Sequence, residues 1–218
     1  MPRVTRCNGF GLHAQQPQAR IGTEAACSLW RDARARYGPA MYRITKGIHA
    51  HFAHHVRGHR GACISLHGHT WKLEVTVAAE TLDDESFVVD FSVMKREVLQ
   101  PAHLLLDHSL AIGEATWAET KDSLATLGNI LVDSRQHTMG SRGELQPHLQ
   151  GELAGARNEL PGDIKIAVFP FAPTSETLAR WLYELAEERL ADDRVSIVNA
   201  RIYEALHPVE TWAEYAPR

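Results

Sequence analysis

The clearest pattern in the chain is strict alternation. Trp71, Leu73, Val75 and Val77 are apolar while Lys72, Glu74 and Thr76 between them are polar, a period of two that predicts a strand with one buried and one open face. Upstream, Tyr42–Ala53 reads as a strand that turns polar and histidine-rich, and a Gly/Arg/His loop follows at Arg57–Gly61. After an acidic turn at Asp83–Glu85 and the apolar Phe87–Val89, Asp90 is placed to cap a helix running through Leu99, which Pro101 ends or bends. Glu114–Asp133 has Leu124, Leu127 and Leu131 at helical spacing, and Arg135–Asp163 reads as an irregular polar insertion. Ile164–Phe169 predicts a short strand, and Pro173 opens a helix whose Leu178, Trp181, Leu182 and Leu185 form one apolar stripe. Arg194–Tyr203 and Glu210–Tyr215 read as two closing strands. This order of elements indicates an α+β architecture, an antiparallel sheet with helices on one face. Residues 1–40 keep neither period, apart from a possible short helix at Ala25–Arg36, and read as an extension.

With 218 residues, 44% of them apolar and 23% charged, the chain can build one core of its own. A net charge of -4 argues against a nucleic-acid surface, which needs a basic stripe. No apolar run reaches the roughly 18 residues of a membrane span and no apolar leader opens the chain, so the expected compartment is the cytoplasm. Cys7, Cys27 and Cys63 form neither an even set nor a Cys-x-x-Cys pair, which speaks against a disulfide framework or a cysteine-rich zinc site.

Histidine changes the picture. There are 13, five of them between His49 and His59. In Leu66-His67-Gly68-His69 two histidines one residue apart on a strand project from the same face, a chelating pair, and Gly68 lets a neighbouring backbone approach. A third imidazole from the adjacent strand would complete a three-nitrogen zinc site with its fourth position open, as catalysis requires. Spacing does not choose that third ligand among His49, His51, His54 and His55. Cys63 lies four residues before His67. A nearby dication would raise its thiolate fraction and make it a base or nucleophile, although a fourth zinc ligand or an inert thiol fits the same position. In Asp107-His108 a carboxylate could hold the imidazole tautomer for proton transfer, the plainer reading being a turn. Glu204, late on an apolar strand, would need paired donors if buried, such as the two adjacent N–H groups of a guanidine-like ring edge; a surface ion pair is the alternative.

Taken in order, Ala53-His54, Cys63-Ile-Ser-Leu-His67-Gly68-His69, Val89-Asp90-Phe91, Leu106-Asp107-His108, Pro173-Thr174-Ser175-Glu176 and Glu204 resemble the 6-pyruvoyl-tetrahydropterin synthase family. The likeness runs from Met41 to the C-terminus except for an insertion at about 112–163. The three-residue spacer between Cys63 and His67 is similar to that of the bacterial 6-carboxy-tetrahydropterin synthases of queuosine biosynthesis. The resemblance implies His54, His67 and His69 as zinc ligands, Cys63 as base, Asp107 and His108 as a proton relay, and Glu204, with Thr174, as the pterin-binding residues. It also implies a tunnelling fold: a four-stranded antiparallel sheet with two helices packed on one face, subunit sheets joining into an oligomeric barrel as a trimer or hexamer. The implied reaction converts 7,8-dihydroneopterin triphosphate to 6-carboxy-tetrahydropterin, releasing acetaldehyde and triphosphate. Arg57, His59 and Arg60 are triphosphate candidates by charge. His55, Phe52 and Ala205 depart from the family's pattern of arginine, a small residue and threonine at these places.

Since the resemblance begins at Met41, removal of residues 1–40 is expected to leave assembly and turnover intact. Size-exclusion chromatography and an activity assay of the shortened chain check this.

Overall fold

In the computed structural model the described residues are 41–139, 153, 155–157 and 160–218. The chain divides into units Met1–Ala40 and Met41–Arg218; the extension, including the stretch 25–36 expected to form a short helix, lies outside the described residues, as does much of the insertion beyond Met139.

Strands β1 (Tyr42–His54) and β2 (His67–Ala79) pair antiparallel along their whole length. Because directly opposed residues share a face, the apolar Ala50 and Phe52 of β1 stand with Trp71, Leu73, Val75 and Val77 of β2 on the core side. The expectation of an open second face on β2 fails in its middle, where Glu74 and Thr76 are also buried. β2 is an inner strand, and Glu74 lies beneath its neighbours: Lys72 Nζ is 2.6 Å from one carboxylate oxygen and the Tyr203 hydroxyl donates to the other at 3.1 Å. Lys72 in turn stacks over the Tyr203 ring, and its pKa is raised by the bond to Glu74.

The Asp90 carboxylate caps α1 (Phe91–Met94), accepting from the Ser92 amide at 2.6 Å. Pro101 does not end the helix. A π-helical turn at Lys95–Leu99 carries the chain into α2 (Gln100–Leu106), in which Pro101 takes the first turn. Having no N–H, Pro101 cannot bond the Glu97 carbonyl four residues back, and Arg189 Nη1 donates to that carbonyl at 3.2 Å.

Next come β3 (Leu110–Gly113), α3 (Glu114–Met139), β4 (Ala156–Arg157) and β5 (Ile166–Phe169). Then α4 (Ser175–Leu190), capped by Thr174 with a reciprocal Thr177 bond, leads to β6 (Val195–Ala205) and β7 (Thr211–Tyr215).

Two expectations need correction. The sheet has seven strands in the order β4-β5-β3-β1-β2-β6-β7, not four, and it is mixed, because β3 runs parallel to both β1 and β5. The expected antiparallel four are β1, β2, β6 and β7; β3, β4 and β5 extend the sheet beyond β1. Nor do all helices share one face. Along β3 and β5 the side chains alternate: Ala111, Ala167 and Phe169 join the main core under α1, α2 and α4, whereas Ile112, Ile166 and Val168 point the other way. Trp117 and Leu124 of α3 cover that second patch. α3 also meets the Leu160–Gly162 segment closely: a Cβ on Gly128 would fall 2.1 Å from the Pro161 carbonyl oxygen, so this contact requires glycine.

Leu182 of α4 is fully buried in the main core. Leu182→Ala is expected to lower the unfolding free energy by about 2–5 kcal/mol, read as a lower urea midpoint at unchanged slope.

Candidate metal centre and the residues around it

The β1–β2 register places His54 directly opposite His67, and Phe52 opposite His69. All three imidazoles therefore lie on the core face, at the end of the ladder where the sheet meets α4. A Cβ on Gly68 would sit 3.2 Å from the Phe52 carbonyl oxygen, so the close approach expected of that glycine is present. Trp71 forms the floor. It is fully buried, donates from its indole to the Phe52 carbonyl at 3.1 Å and stacks on the Phe52 ring. The rings of His54 and His69 stand edge-on to it, with centroids 5.0 and 5.2 Å away.

Backbone carbonyls set two of the tautomers. His54 Nδ1 donates to Pro173 O at 2.9 Å and His67 Nδ1 to Ser65 O at 2.7 Å, so both rings turn Nε2 inward, bare of a proton when neutral. These two Nε2 atoms are 3.1 Å apart. Two lone pairs at that distance repel unless a proton or a cation lies between them. His69 Nε2 is buried without a hydrogen-bond partner. Glu204, on β6, completes the group: Oε1 lies 3.7 Å from His54 Nε2 and 3.4 Å from His69 Nε2. Its other oxygen accepts from the Ser175 hydroxyl at 3.1 Å.

One ligand atom from each of His54, His67, His69 and Glu204 thus lies within 4.8 Å of every other. Four donors about 2.0–2.1 Å from a tetrahedral ion stand roughly 3.3–3.4 Å apart, and the three separations given bracket that value. The donor set, the bare inward nitrogens and the unpartnered His69 all fit a divalent cation. Electrostatics agree. Burial foremost, and the neighbouring His67, hold the His54 pKa below the ordinary imidazole value against the opposing Pro173 bond. Burial lowers His69 as well, with Glu204 opposing. Neutral rings are the ligating form.

Cys63 lies half-buried in a 3-10 turn, Ala62–Ile64, whose carbonyl at Cys63 accepts from the Val56 amide. It is not among the four converging side chains; Glu204 takes the place that a fourth sulfur ligand would have held. Asp107 and His108 also stand apart from that group. His108 Nδ1 donates to Asp107 Oδ2 at 2.7 Å, and the His51 amide donates to Oδ1 at 2.8 Å. Burial would raise the Asp107 pKa, but the His51 amide and His108 outweigh it and hold the carboxyl below its usual range. His108 has φ of +59°, an uncommon left-handed conformation that turns its ring toward that of His51. By register His51 lies on the face opposite His54, so within one chain the Asp-His pair and the imidazole cluster are on different sides of β1.

The remaining candidates are less available than their charge or position suggested. Arg57 is ion-paired with Glu119 of α3, His59 Nδ1 accepts from the Gly61 amide, and Thr174 spends its hydroxyl on capping α4. Phe52 is buried in the core. Sequence reasoning passed over Ser175, although it lies within the Pro-Thr-Ser-Glu run, and did not consider Glu204 as a ligand.

The model of the family described as 6-pyruvoyl tetrahydropterin synthase matches residues 43–217. The chain belongs to that family. Among curated relatives, the 6-carboxy-5,6,7,8-tetrahydropterin synthase of Bacillus subtilis is 41% identical over 73 residues, 33% of this chain and 47% of that protein. The match thus spans about half of that relative's length. The protein of the same name from Haemophilus influenzae is 26% identical over 171 residues, 75% of this chain and 93% of that one. An uncharacterized protein of Wolinella succinogenes has the same fold, with a TM-score of 0.51 at 21% identity, covering 82% of this chain and 99% of that one. The family expected from the sequence is thus the one to which the chain belongs. No helix among the described residues is long and apolar enough to cross a membrane.

For this member of the synthase family, metal retention is expected to persist below pH 6.5, because burial disfavours the imidazolium forms of His54 and His69. Release then follows on further acidification, as protons compete for the inward nitrogens. Metal content after dialysis across pH 4–8 measures this, and release centred above pH 6.5 would contradict it.

Proposed function

We propose that the chain is a zinc-dependent 6-carboxy-tetrahydropterin synthase, converting 7,8-dihydroneopterin triphosphate to 6-carboxy-5,6,7,8-tetrahydropterin with release of acetaldehyde and triphosphate. The observation that carries this reading is the convergence of His54, His67 and His69 on one point, in a member of the pterin synthase family whose matched relatives bear that name. Zinc held by the three imidazoles would act as a Lewis acid toward the substrate's side-chain oxygens.

The chain's own residues do the rest. Cys63, on the turn that leads into His67, takes the substrate proton as thiolate. His108 keeps Nδ1 on Asp107, which leaves Nε2 as the atom that exchanges protons, and its ring is largely exposed. Glu204 receives the N–H donors of the pterin ring edge, and Thr174, the residue before Ser175 at the start of α4, joins it in binding the pterin. Since Asp107 and His108 lie across β1 from the imidazoles, a second copy supplies them to each centre. Open sheet edges support such an assembly. Among the described residues, β7 has no strand on its outer side, and β1 meets β3 only at Ala53 and His54. Neighbouring copies would cover these edges, as a trimer or hexamer.

Incubating the zinc-loaded protein with dihydroneopterin triphosphate is expected to release acetaldehyde alongside a 6-carboxy product, followed by chromatography and an aldehyde-coupled assay. A 6-pyruvoyl product without acetaldehyde would assign the sister activity instead. Cys63→Ala is expected to lower kcat by about 10²–10⁴-fold at unchanged zinc content; normal turnover by this variant would remove Cys63 as base.

A further inference from the structure

Two roles meet on Glu204. The proposed reaction gives its carboxylate to the pterin ring, yet the structure points one of its oxygens at the three imidazoles. We propose that Glu204 is a displaceable fourth metal ligand. In the resting protein it closes the coordination sphere, and arrival of the pterin ring draws it away and opens the position that the substrate's oxygens need.

The aim of the carboxylate is built into the chain in two ways. The β6–β7 register shifts between Tyr203 and Ala205, so Glu204 is the extra residue of a bulge, a device that re-aims a side chain and locally strengthens the twist. Ser175, the first residue of α4, donates its hydroxyl to Oε2 at 3.1 Å. That bond anchors Oε2 and leaves Oε1 toward His54 Nε2 and His69 Nε2, at 3.7 and 3.4 Å. The three separations of 3.1, 3.4 and 3.7 Å lie around the edge length of a closed tetrahedral site, with the Glu204 oxygen as one of its corners.

Recognition of a ring edge by two parallel N–H donors takes both oxygens of a carboxylate. Oε1 has lone pairs for both partners, but two parallel donors fix the carboxylate coplanar with the ring edge; in this proposal that reorientation carries Oε1 off the ion, so ring binding and opening of the ion are a single event. The coupling is reciprocal: whatever the ion gains from Glu204, the ring must overcome. In the resting state water and small chelators then meet a filled coordination sphere, and only a ligand carrying the pyrimidine edge clears it. This rests on the pterin reading above, but its test does not depend on turnover.

Cobalt(II) replaces zinc as the probe, because its visible absorption reports the number and kind of its ligands. The Co(II)-loaded protein is titrated with 6-methylpterin, which has the ring edge but no side-chain hydroxyls to reach the ion. Binding is followed independently by pterin fluorescence. The expected result is a change in the cobalt bands that saturates with ring binding and is absent in Glu204→Gln. A bound pterin that leaves the wild-type bands unchanged overturns the proposal.

Zinc affinity, measured by chelator competition, gives a second arm that needs no pterin binding. Glu204→Gln is expected to bind zinc at least about tenfold more weakly, with Ser175→Ala between it and wild type, and circular dichroism verifies that both variants fold. Equal affinities and equal resting cobalt spectra in wild type and Glu204→Gln overturn the proposal while leaving the synthase reading intact. Full zinc retention by a folded His67→Ala variant would instead overturn the three-imidazole site itself.

Discussion

Two backbone carbonyls decide what the histidine cluster is. By accepting from Nδ1 of His54 and His67, Pro173 and Ser65 turn both Nε2 atoms inward and leave them without protons. Without these bonds either ring could flip or shift its tautomer, and the 3.1 Å contact between them would be an ordinary hydrogen bond. With them, the group is an array of lone pairs that a cation resolves. The Pro173 carbonyl lies just before α4 and the Ser65 carbonyl just before β2, so the ligand geometry depends on how the helix seats against the sheet and on where the loop ends.

The core serves that geometry. Trp71 fills the floor beneath His54 and His69, and its indole is itself tied to the Phe52 carbonyl across the strand pair. The rings are thus held by packing on one side and by carbonyls on the other. Burial adds a chemical effect, since a group removed from water favours its neutral form, which is the form that binds metal. Packing and ligand chemistry thus favour the same state of the same residues.

Much of this was legible in the sequence where one physical signal dominated. Alternation located β2, the apolar stripe and Pro173 located α4, whose cap is Thr174 one residue on, and Asp90 capped its helix as read. β3 was not legible. It has four residues, follows directly on the Asp107-His108 turn, and buries both faces, so it shows no alternation. Pro101 misled because a π-helical turn can place proline at the start of a new helical segment. The third imidazole was left open among four, yet parity contained the answer: Ile48, Ala50, Phe52 and His54 are even-numbered and share the core face, while His49, His51 and His55 do not. The position of Glu204 beside the imidazoles could not be read, because it depends on a bulge, and bulges leave no period.

The segment between β1 and β2, residues 55–66, lies outside the strand ladder that sets the histidine register. Residues can be gained or lost before Ser65 without shifting the His54–His67 register, as long as the Ser65 carbonyl keeps its bond to His67. The reach of the sulfur is therefore a separately adjustable quantity in this scaffold. On the proposed reading, a shorter or longer excursion would re-site the base over a fixed electrophilic centre and move proton abstraction to a different carbon of the same class of molecule while the rest of the architecture stayed as it is.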